Sequence, residues 1–438
     1  MSGATTARPF CFMSQFWGAC YRDYFVDYCL PSLLAPGNLP RLRAEDGHRF
    51  LIATPREDWE HIVNLPIMER ARAFVTPTLI ETPAPADLSY VAVLQHQTYS
   101  LKRLFDAAYV FEAFGCAVWP DTIMSDGFVA AMQRWVAAGY HLVMQPTVRL
   151  SEEGVLADLK TIKLLPESDR LSLTAAAIVV PSRLVADLSV RHLHPELEIM
   201  GEGHPLQPLY PPYRFWRVPD RRGIILHVFF ATPVLLDFAA VPADHTACLE
   251  ERDWESIYIG RNFTAAGGLY VVADSDESGI LSITPAAVDR SGSRRTSRLG
   301  ARWMPQFALL CNLRGAISAY TRGERDLIRR DMFRVSVRWH ADDVDDVWRQ
   351  EEAAIMALID RAAGDYYSHG PVLPPRLSFD PRYLPFDLFN VLQGIARVVG
   401  GGAAAGFGAL TGNRADAELI KRKANALRST LIRRLRLR

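Results

Sequence analysis

The sequence is poor in the features that mark specialised protein classes. Its six cysteines include no Cys-x-x-Cys pair and no spacing typical of a zinc site. Neither a disulfide framework nor a zinc module is therefore predicted, and free thiols within apolar runs indicate a reducing compartment. No stretch reaches the roughly 20 apolar residues that a bilayer-spanning helix needs. No internal repeat is apparent.

Charge of neither sign is in excess. Lysine plus arginine and aspartate plus glutamate both number 49, so the whole chain gives no electrostatic argument for a nucleic-acid partner. With 49% hydrophobic and 22% charged residues, the composition is typical of a globular protein with a large core. Arg22, Asp23 and Asp27 interrupt the first apolar helical pattern. No secretory leader is therefore expected, and the predicted location is the cytoplasm.

Apolar runs and amphipathic helical patterns alternate along the first 150 residues. Strands are predicted at 9–17, 48–54, 116–119 and 141–150, with further possible strands at 73–80 and 90–93. Helices are predicted at 21–34, 58–65, 101–114 and 128–138. This alternation predicts an α/β fold with a mostly parallel sheet flanked by helices.

The second half continues the alternation less regularly. Helices are predicted at 171–177, 182–193 and 344–363, and strands at 223–238, 268–273 and 335–339. Between them, 201–219 is rich in proline and aromatic residues, which predicts an irregular loop. Within it Tyr213 and Trp216 could stack on a sugar, or the loop merely packs onto the surface. His227, alone in an apolar strand, is expected to be a hydrogen-bonded core residue.

Asp121 is the first candidate functional residue. It follows the apolar strand 116–119 and a proline, which ends the strand because proline cannot donate to a sheet ladder. A carboxylate just past the carboxyl end of a buried strand lies where open α/β sheets bind ligands. Ser125 and Asp126, in the turn before the next helix, are nearby candidates. Alternatively, both aspartates are turn and cap residues.

The order of these elements resembles that of the GT-A glycosyltransferases. A strand followed by a turn, a second strand near residue 50, and a helix leading into a strand that ends at an aspartate are similar to that family over residues 1–150. The resemblance implies that Asp121 holds the diphosphate of a nucleotide-sugar donor through a divalent cation, Mn²⁺ or Mg²⁺. The family's usual Asp-x-Asp is Asp121-Thr122-Ile123 here, so the second aspartate is missing.

The resemblance also implies where the rest of the donor binds. Trp17, Gly18 and Tyr21 follow the first strand, where the family holds the nucleobase and ribose. An aromatic ring can stack on a base, and glycine lets the backbone approach a ligand closely; each aromatic could equally be a core residue. Ser100 and Lys102, at the start of the predicted long helix, could meet a phosphate at its positive end, or act as a cap and a solvated charge.

A second acidic group directly follows the predicted strand at 268–273. Carboxylates crowded at a strand end repel one another unless a cation or a proton intervenes, and such oxygen ligands suit Mg²⁺ or Mn²⁺. We expect Asp274 or Asp276 to be the catalytic base that takes a proton from the acceptor hydroxyl. Both would belong to an acceptor-side half at 151–385. One alternative is the reverse assignment, with this group at the nucleotide and Asp121 on the acceptor side. The other is an acidic turn.

His340 ends another predicted strand, and a histidine in that position can complete an oxygen-rich metal site. Together with Asp121 it is the predicted metal ligand. The acidic residues after His340 are expected to begin the helix at 344–363, because carboxylates favour a helix N-terminus. The arginine-rich segment 290–302 could close over a diphosphate or remain a solvated loop.

Residues 386–438 differ from the catalytic domain predicted for 1–385. A Gly/Ala-rich run at 398–410 is followed by 415–438, where eight basic residues accompany an apolar stripe at helical spacing. A basic amphipathic helix is typical of binding to an anionic membrane surface, with a protein or nucleic acid as the rival partner. We therefore expect peripheral attachment to the inner face of a bacterial-type membrane.

These features together predict a glycosyltransferase that moves a sugar from a nucleotide-sugar donor to a glycan, lipid or protein acceptor at the membrane surface. One alternative is a nucleotidyltransferase on a similar sheet, which would consume a nucleoside triphosphate. Another is a non-catalytic membrane-associated scaffold. The enzyme hypothesis requires the two aspartate-bearing corners, at Asp121 and at Asp274, to serve one pocket.

Overall fold

The computed structural model of the protein describes residues 8–363 with several gaps. The gaps are 148, 166–170, 203, 205–211, 251–253, 264–267 and 289–308, and between 311 and 326 only 313, 316, 317 and 320 are described. The predicted Gly/Ala-rich and basic segment 386–438 and the arginine-rich segment 290–302 lie outside the described residues.

The described strands and helices alternate through much of the chain. In chain order the strands are β1 (Phe10–Gln15), β2 (Arg49–Thr54), β3 (Thr76–Glu81), β4 (Phe114–Ala117), β5 (Thr122–Met124), β6 (Leu142–Gln145), β7 (Arg149–Ser151), β8 (Tyr213–Arg217), β9 (Gly223–Val228), β10 (Thr232–Asp237), β11 (Leu269–Val271), β12 (Ile280–Thr284) and β13 (Val337–His340). The helices are α1 (Gly18–Tyr24), α2 (Leu30–Leu33), α3 (Arg56–Ile62), α4 (Pro66–Ala71), α5 (Tyr90–Val110), α6 (Phe128–Ala137), α7 (Glu152–Thr161), α8 (Leu171–Thr174), α9 (Ser182–Arg191), α10 (Pro195–Glu198), α11 (Trp254–Asn262), α12 (Leu327–Arg334) and α13 (Asp346–Ala363). A π-helical segment, Phe25–Cys29, joins α1 to α2. Among these helices none is both long and apolar enough to cross a membrane.

Seven strands form the main sheet, in the order β11-β6-β10-β4-β1-β2-β3. β1 pairs in parallel with β2 and β4, β2 with β3, and β6 with β11. β10 runs antiparallel between β4 and β6. The predicted α/β fold, with a mostly parallel sheet flanked by helices, is therefore confirmed.

β1 shows why these segments form strands. All six of its residues are buried, and successive side chains point to opposite faces of the sheet. Cys11 and Met13 belong to the core that includes the apolar face of α5, whereas Phe10 and Phe12 belong to the core on the other face. A strand covered on both faces requires a continuous apolar run.

Two smaller sheets flank the main one. The second sheet has the order β5-β12-β7, and the third has the order β13-β9-β8 with antiparallel pairs. Asp274, shortly after β11, forms an isolated bridge with Arg338 of β13. The third sheet is thereby joined to the β11 edge of the main sheet.

The predictions around α5 are wrong in two respects. Residues 90–93, predicted as a possible strand, form the first turn of α5, which is capped by the Ser89 Oγ accepting from the Ala92 N–H over 3.3 Å. The helix predicted at 101–114 therefore begins earlier, and Phe114 is the first residue of β4. Local β-branched residues favoured a strand at 90–93, but the cap and the packing of α5 decide for helix.

Other differences concern the number of strands. β5, which was not predicted, lies between Asp121 and the turn predicted at 125–127. The single strands predicted at 141–150 and 223–238 are each divided in two. The irregular loop predicted at 201–219 contains β8 (Tyr213–Arg217), while 205–211 lie outside the described residues. β8 pairs with β9, and the composition of a segment does not reveal such a partner.

Candidate functional site

The main sheet changes the direction of its connections between β1 and β4. From β1 the chain proceeds through β2 to β3 on one side, returns along α5, and places β4 on the other side of β1. Open α/β sheets bind ligands in the crevice outside the carboxyl ends of strands at such a switch point. Trp17 and Gly18 follow β1 and Asp121 follows β4, so the sequence-predicted residues lie at this crevice.

Trp17 lies against a buried histidine of α5. The centroids of the Trp17 and His96 rings are 4.6 Å apart at an interplanar angle of 80°, and the Tyr21 ring is 6.4 Å from that of Trp17. His96 Nε2 is 3.4 Å from the Ser100 Oγ. Burial lowers the pKa of His96, so its ring is neutral at pH 7. Ser100 is thus brought close to Trp17 through His96.

Ser100 and Lys102 do not lie at the start of a helix, as their predicted contact with a phosphate required. Both residues lie in the middle of α5, which begins at Tyr90, so neither is at the positive end of the helix. The Ser100 side chain is fully buried and faces His96. The helix dipole acts at the first turn of a helix, so it does not favour a phosphate at Ser100. Any contact of Ser100 with a ligand would instead depend on its pairing with His96.

Gly18 is held by a carboxylate from another element. Its N–H donates to the Asp58 Oδ2 over 2.7 Å, and the Arg22 Nη1 lies 3.2 Å from the Asp58 Oδ1. Gly18 has φ +77°, and a Cβ added there would have no neighbour within 4 Å. The Asp58 carboxylate therefore fixes the turn after β1, whereas the side of Gly18 where a Cβ would lie is open. No local pattern marks Asp58, which lies in α3.

Four buried side-chain oxygens near the carboxyl ends of β1, β2 and β3 have no hydrogen-bond partner. They are Ser14 Oγ, Gln15 Oε1, Thr54 Oγ1 and Thr82 Oγ1, on residues no more than 6% exposed. A buried polar atom without a partner costs about 1–3 kcal/mol. Their concentration at one sheet edge is typical of a site that receives a polar ligand.

Asp121 lies in an acidic and aromatic environment at the end of β4. Its carbonyl accepts from the Ile283 N–H over 2.9 Å. The Tyr24 hydroxyl donates to Glu152, and burial, this hydrogen bond and the charges of Glu152 and Asp121 raise the Tyr24 pKa. The charges of the Asp121 and Glu152 carboxylates therefore both raise the pKa of the Tyr24 hydroxyl. Glu152 is a neighbour that the sequence did not suggest.

Ser125 and Asp126 are used to hold backbone segments together. The Ser125 Oγ accepts from the Gly279 N–H over 2.9 Å, and the Asp126 Oδ1 accepts from the Gly37 N–H over 2.6 Å. Neither side chain caps α6, because its N-cap is Gly127 and receives no side-chain hydrogen bond. The alternative prediction of a helix cap at this turn is therefore wrong. Through Gly279, Ser125 is nevertheless next to the loop that carries Asp274 and Asp276.

Asp274, Asp276 and His340 converge on one point. One potential ligand atom from each lies within 4.8 Å of the other two. The His340 Nε2 donates to the Asp274 Oδ1 over 2.9 Å, and its Nδ1 donates to the Asp342 carbonyl over 2.6 Å. Since both ring nitrogens face acceptors, the protonated ring is favoured, and the hydrogen bond to Asp274 raises the His340 pKa.

Two arginines neutralise the acidic pair. The Arg338 Nη2 is 3.0 Å from the Asp274 Oδ2. Arg183 donates from its Nε to the Asp276 Oδ1 over 3.2 Å and from its Nη2 to the Asp276 Oδ2 over 3.1 Å. Burial raises the Asp274 pKa, but the hydrogen bond from His340 and the Arg338 charge outweigh it, so the pKa is lowered. Asp274 is therefore an ionised, paired carboxylate and a weak proton acceptor as it stands. Residues 274–277 form a turn.

His340 lies with Asp274 and not with Asp121. In the sheet order β11 is three strands from β4, which corresponds to about 14 Å at the usual strand spacing. The loop after Asp274 lies at the edge of the sheet formed by the carboxyl ends of β4 and β6. Gln145, at the end of β6, donates from its Nε2 to the Ser278 carbonyl over 3.0 Å, and its Oε1 accepts from the Ser278 Oγ over 3.1 Å. The two acidic corners therefore share one edge of the sheet but form separate groups.

A cleft of about 670 Å³ lies between β11 and α12. Its walls are mostly apolar, with Tyr270, Ile328 and Val335 among them, and Arg330 and Asp331 are its charged residues. Ala273, which precedes Asp274, also lines the cleft. The cleft thus reaches the residue next to the second acidic group.

Trp17, Gly18 and Tyr21 follow β1 and lie beside His96 and Ser100 of α5, and Asp121 follows β4 at the same edge of the sheet. Asp274, Asp276 and His340 form a second group on that edge. Sequence reasoning missed Asp58 and His96, because each comes from an element distant in the chain. It also missed the unpartnered oxygens, because a sequence does not show which buried polar groups lack a partner. In comparisons with known proteins, no family model and no curated protein matches this sequence.

Proposed function

We propose that the protein is a glycosyltransferase that binds a nucleotide-sugar donor at the crevice between β1 and β4. The observation that carries the proposal is the switch point of the main sheet, where Trp17 and Gly18 follow β1 and Asp121 follows β4. An aromatic ring, an open glycine turn and a carboxylate suit a base, a ribose and a cation-bound diphosphate, respectively. The resemblance of this element order to the GT-A enzymes supports the same assignment.

The buried polar atoms give the donor site its specificity in this proposal. Thr54 and Gln15 present unpartnered oxygens beside the turn after β1, and neutral His96 has a ring nitrogen near Ser100. A site with unpaired polar groups rejects ligands that cannot pair them. We infer that these residues select the donor by hydrogen bonds and that Trp17 supplies stacking area.

A divalent cation fits this donor site through Asp121. Mg²⁺ usually takes one or two carboxylates and completes its coordination with substrate phosphates and water, and Asp121 lies near a second carboxylate, Glu152. When bound, such a cation would withdraw charge from the leaving diphosphate. The group at Asp274 has suitable ligand atoms, but Arg183 and Arg338 already pair with its carboxylates.

We place the acceptor in the cleft between β11 and α12. Its apolar walls suit an acceptor with an apolar portion, and its inner end at Ala273 is next to Asp274. An extended nucleoside-diphosphate sugar can bridge the three strand spacings from the Asp121 corner. Deprotonation of the acceptor by Asp274 or Asp276 would require release of the arginine that now pairs with it.

Binding of nucleotides tests the donor site. We expect saturable binding of UDP, GDP or CDP in the presence of Mn²⁺, measured by calorimetry, and slow hydrolysis of the matching nucleotide-sugar. Asp121→Asn should weaken binding by about tenfold or more, the value of one or two lost charge-assisted contacts. The matched control is Asp46→Asn, since Asp46 precedes β2 at the opposite edge of the sheet.

The outcomes separate the proposed function from its rivals. A clear preference for nucleoside triphosphates, with release of pyrophosphate, would favour nucleotidyl transfer. Equal loss of binding in Asp121→Asn and Asp46→Asn would remove the crevice as the donor site. Failure of every nucleotide to bind, with the protein shown to be folded by circular dichroism, would leave the scaffold hypothesis.

A further inference from the structure

The third sheet contains a row of buried polar side chains across its strands. Arg214 of β8 is directly opposite His227 of β9 in the antiparallel register, and both are 0% exposed. Extending the β13–β9 register, in which Val337 is opposite Leu226, places Ser336 opposite His227 on its other side. Side chains directly opposite one another have Cβ atoms about 4.5–5.5 Å apart. Arg214, His227 and Ser336 are therefore neighbours on one face.

Each member of this row has a buried polar atom without a hydrogen-bond partner. The atoms are Arg214 Nε and Nη2, His227 Nε2 and Ser336 Oγ. Charged and polar groups are almost always paired when buried, since each unpaired group costs free energy. Four unpaired atoms on three adjacent residues require an explanation that packing alone does not give.

The unpaired edge of Arg214 has the geometry of a carboxylate or phosphate fork. Arginine Nε and Nη2 lie side by side and donate in parallel to two oxygens. In this protein Arg183 uses the same two atoms to hold both Asp276 oxygens at 3.2 and 3.1 Å, and Arg43 uses them with both oxygens of Asp46. Among the described residues this edge of Arg214 has no acceptor, and the Arg214 Nη1 lies 3.4 Å from the Glu202 carboxylate.

His227 adds a second requirement. Its Nδ1 pairs with the Phe333 carbonyl over 2.9 Å, so Nδ1 carries the proton. Burial lowers the His227 pKa to about 4, which leaves the ring neutral and Nε2 an acceptor at pH 7. A ligand next to both residues must therefore present anionic oxygens to Arg214 and an O–H donor to His227. Ser336 can donate or accept.

We infer that Arg214, His227 and Ser336 form a binding site for a hydroxyl-bearing oxyanion, of which hydrogen phosphate is the simplest example. Phosphate at pH 7 carries both anionic oxygens and at least one P–OH, whereas sulfate has no proton to donate to His227. Glu202, which makes the long contact to Arg214, has a side chain that is 29% exposed. This site is distinct from the proposed donor crevice and does not depend on it.

The test measures thermal unfolding and calorimetric binding with inorganic phosphate and sulfate at equal ionic strength and pH 7. We expect saturable stabilisation by phosphate, with sulfate binding at least tenfold more weakly. Arg214→Lys, which keeps the charge but loses the fork, should weaken phosphate binding at least tenfold. His227→Phe should reduce the preference for phosphate over sulfate. The matched control is Arg217→Gln, because Arg217 lies on the same strand but is half exposed and paired with Glu198.

Two results would overturn the inference. One is the absence of saturable phosphate binding to the wild-type protein. The other is equal phosphate binding by wild type and Arg214→Lys, which would place any bound ion elsewhere. If Arg214→Lys unfolds, His227→Phe alone remains informative, since an unchanged phosphate-to-sulfate ratio in that variant would contradict the assigned role of Nε2.

Discussion

His340 donates from Nε2 to the Asp274 Oδ1 over 2.9 Å, and this bond joins β13 of the third sheet to the loop after β11. Backbone hydrogen bonds reinforce it, since Arg338 N–H donates to the Ala273 carbonyl over 2.8 Å and accepts at its own carbonyl from Ser275 over 2.9 Å. The pair therefore links two sheets next to Ala273, which lines the cleft between β11 and α12.

The His340–Asp274 pair should make stability depend on pH. The His340 pKa is raised above its ordinary 6.5, so its contribution is complete below pH 6.5 and is lost as the pH rises through the raised value. The Asp274 pKa is lowered below 3.8, so its contribution is present above pH 3.8 and is lost as the pH falls further. We expect His340→Gln to cost about 1–2 kcal/mol at pH 5.5 and clearly less at pH 8.5.

Urea unfolding of wild type and His340→Gln at both pH values measures this difference. His61→Gln is the control, because His61 is an exposed histidine on α3. A loss of stability in His340→Gln that is the same at pH 5.5 and 8.5 would contradict a contribution from the protonated ring.

We expect Asp58→Asn to weaken nucleotide binding, although Asp58 itself would not contact the proposed donor. Asp58 holds the Gly18 N–H and pairs with Arg22, so its neutralisation loosens the turn that places Trp17. We expect a loss of about 1–2 kcal/mol in unfolding free energy and a several-fold weaker nucleotide affinity in calorimetry. Glu57→Gln, an exposed neighbour in α3, should change neither quantity. Unaltered affinity in Asp58→Asn would show that the turn keeps its position without the carboxylate.

Thr54→Val should separate ligand binding from stability. The Thr54 Oγ1 is buried and has no partner, so replacing it with a methyl group of similar shape should leave stability unchanged or raise it by up to about 1 kcal/mol. Nucleotide affinity should fall if this oxygen pairs with the donor. Thr122→Val is the control, because the Thr122 Oγ1 donates to the Trp119 carbonyl over 2.6 Å. There we expect a loss of about 1 kcal/mol.

Asp237→Asn should destabilise the centre of the sheet. Asp237, at the end of β10, pairs with Arg8 and lies 2.8 Å from the His141 Nδ1, and its side chain is 5% exposed. Burial raises the Asp237 pKa, but these partners outweigh it and lower the pKa. Its stabilisation is therefore present above pH 3.8 and is lost as the pH falls through the lowered value.

We expect Asp237→Asn to cost about 1–2 kcal/mol at pH 7 in chemical unfolding, because it removes the charge of a buried carboxylate whose two partners are partly exposed. The difference from wild type should shrink toward pH 3. Asp331→Asn, which changes a carboxylate that is half exposed, should be close to neutral. A cost below about 0.5 kcal/mol in Asp237→Asn would mean that the pair contributes little.

Local sequence patterns are sufficient to predict the elements whose conformation depends mainly on their own residues. β1 and β2 are continuous apolar runs, and α6 has a clear apolar face, so all three are predictable. The element order also predicts that Trp17 and Asp121 lie at carboxyl ends of strands. Segments whose conformation depends on a distant partner, such as β8, are not predictable in this way.

The chemistry of the sites depends still more on distant partners. Asp274 was expected to act as the catalytic base, but its pairing with His340 and Arg338 lowers its pKa and makes it a weak proton acceptor. His227 was expected to be a hydrogen-bonded core residue, and its Nδ1 is indeed paired. That His227 lies on the same face as the unpaired Nε and Nη2 of Arg214 follows only from the register of β8 and β9.

β10 fills the centre of the main sheet from far along the chain. During synthesis β4 and β6 emerge first, and each has a free edge until residues 232–237 arrive between them. Free edges can recruit strands from other molecules. A ribosome pausing between residues 150 and 232 would therefore hold the nascent chain in its most aggregation-prone state, and a fragment ending there should need a chaperone to remain monomeric.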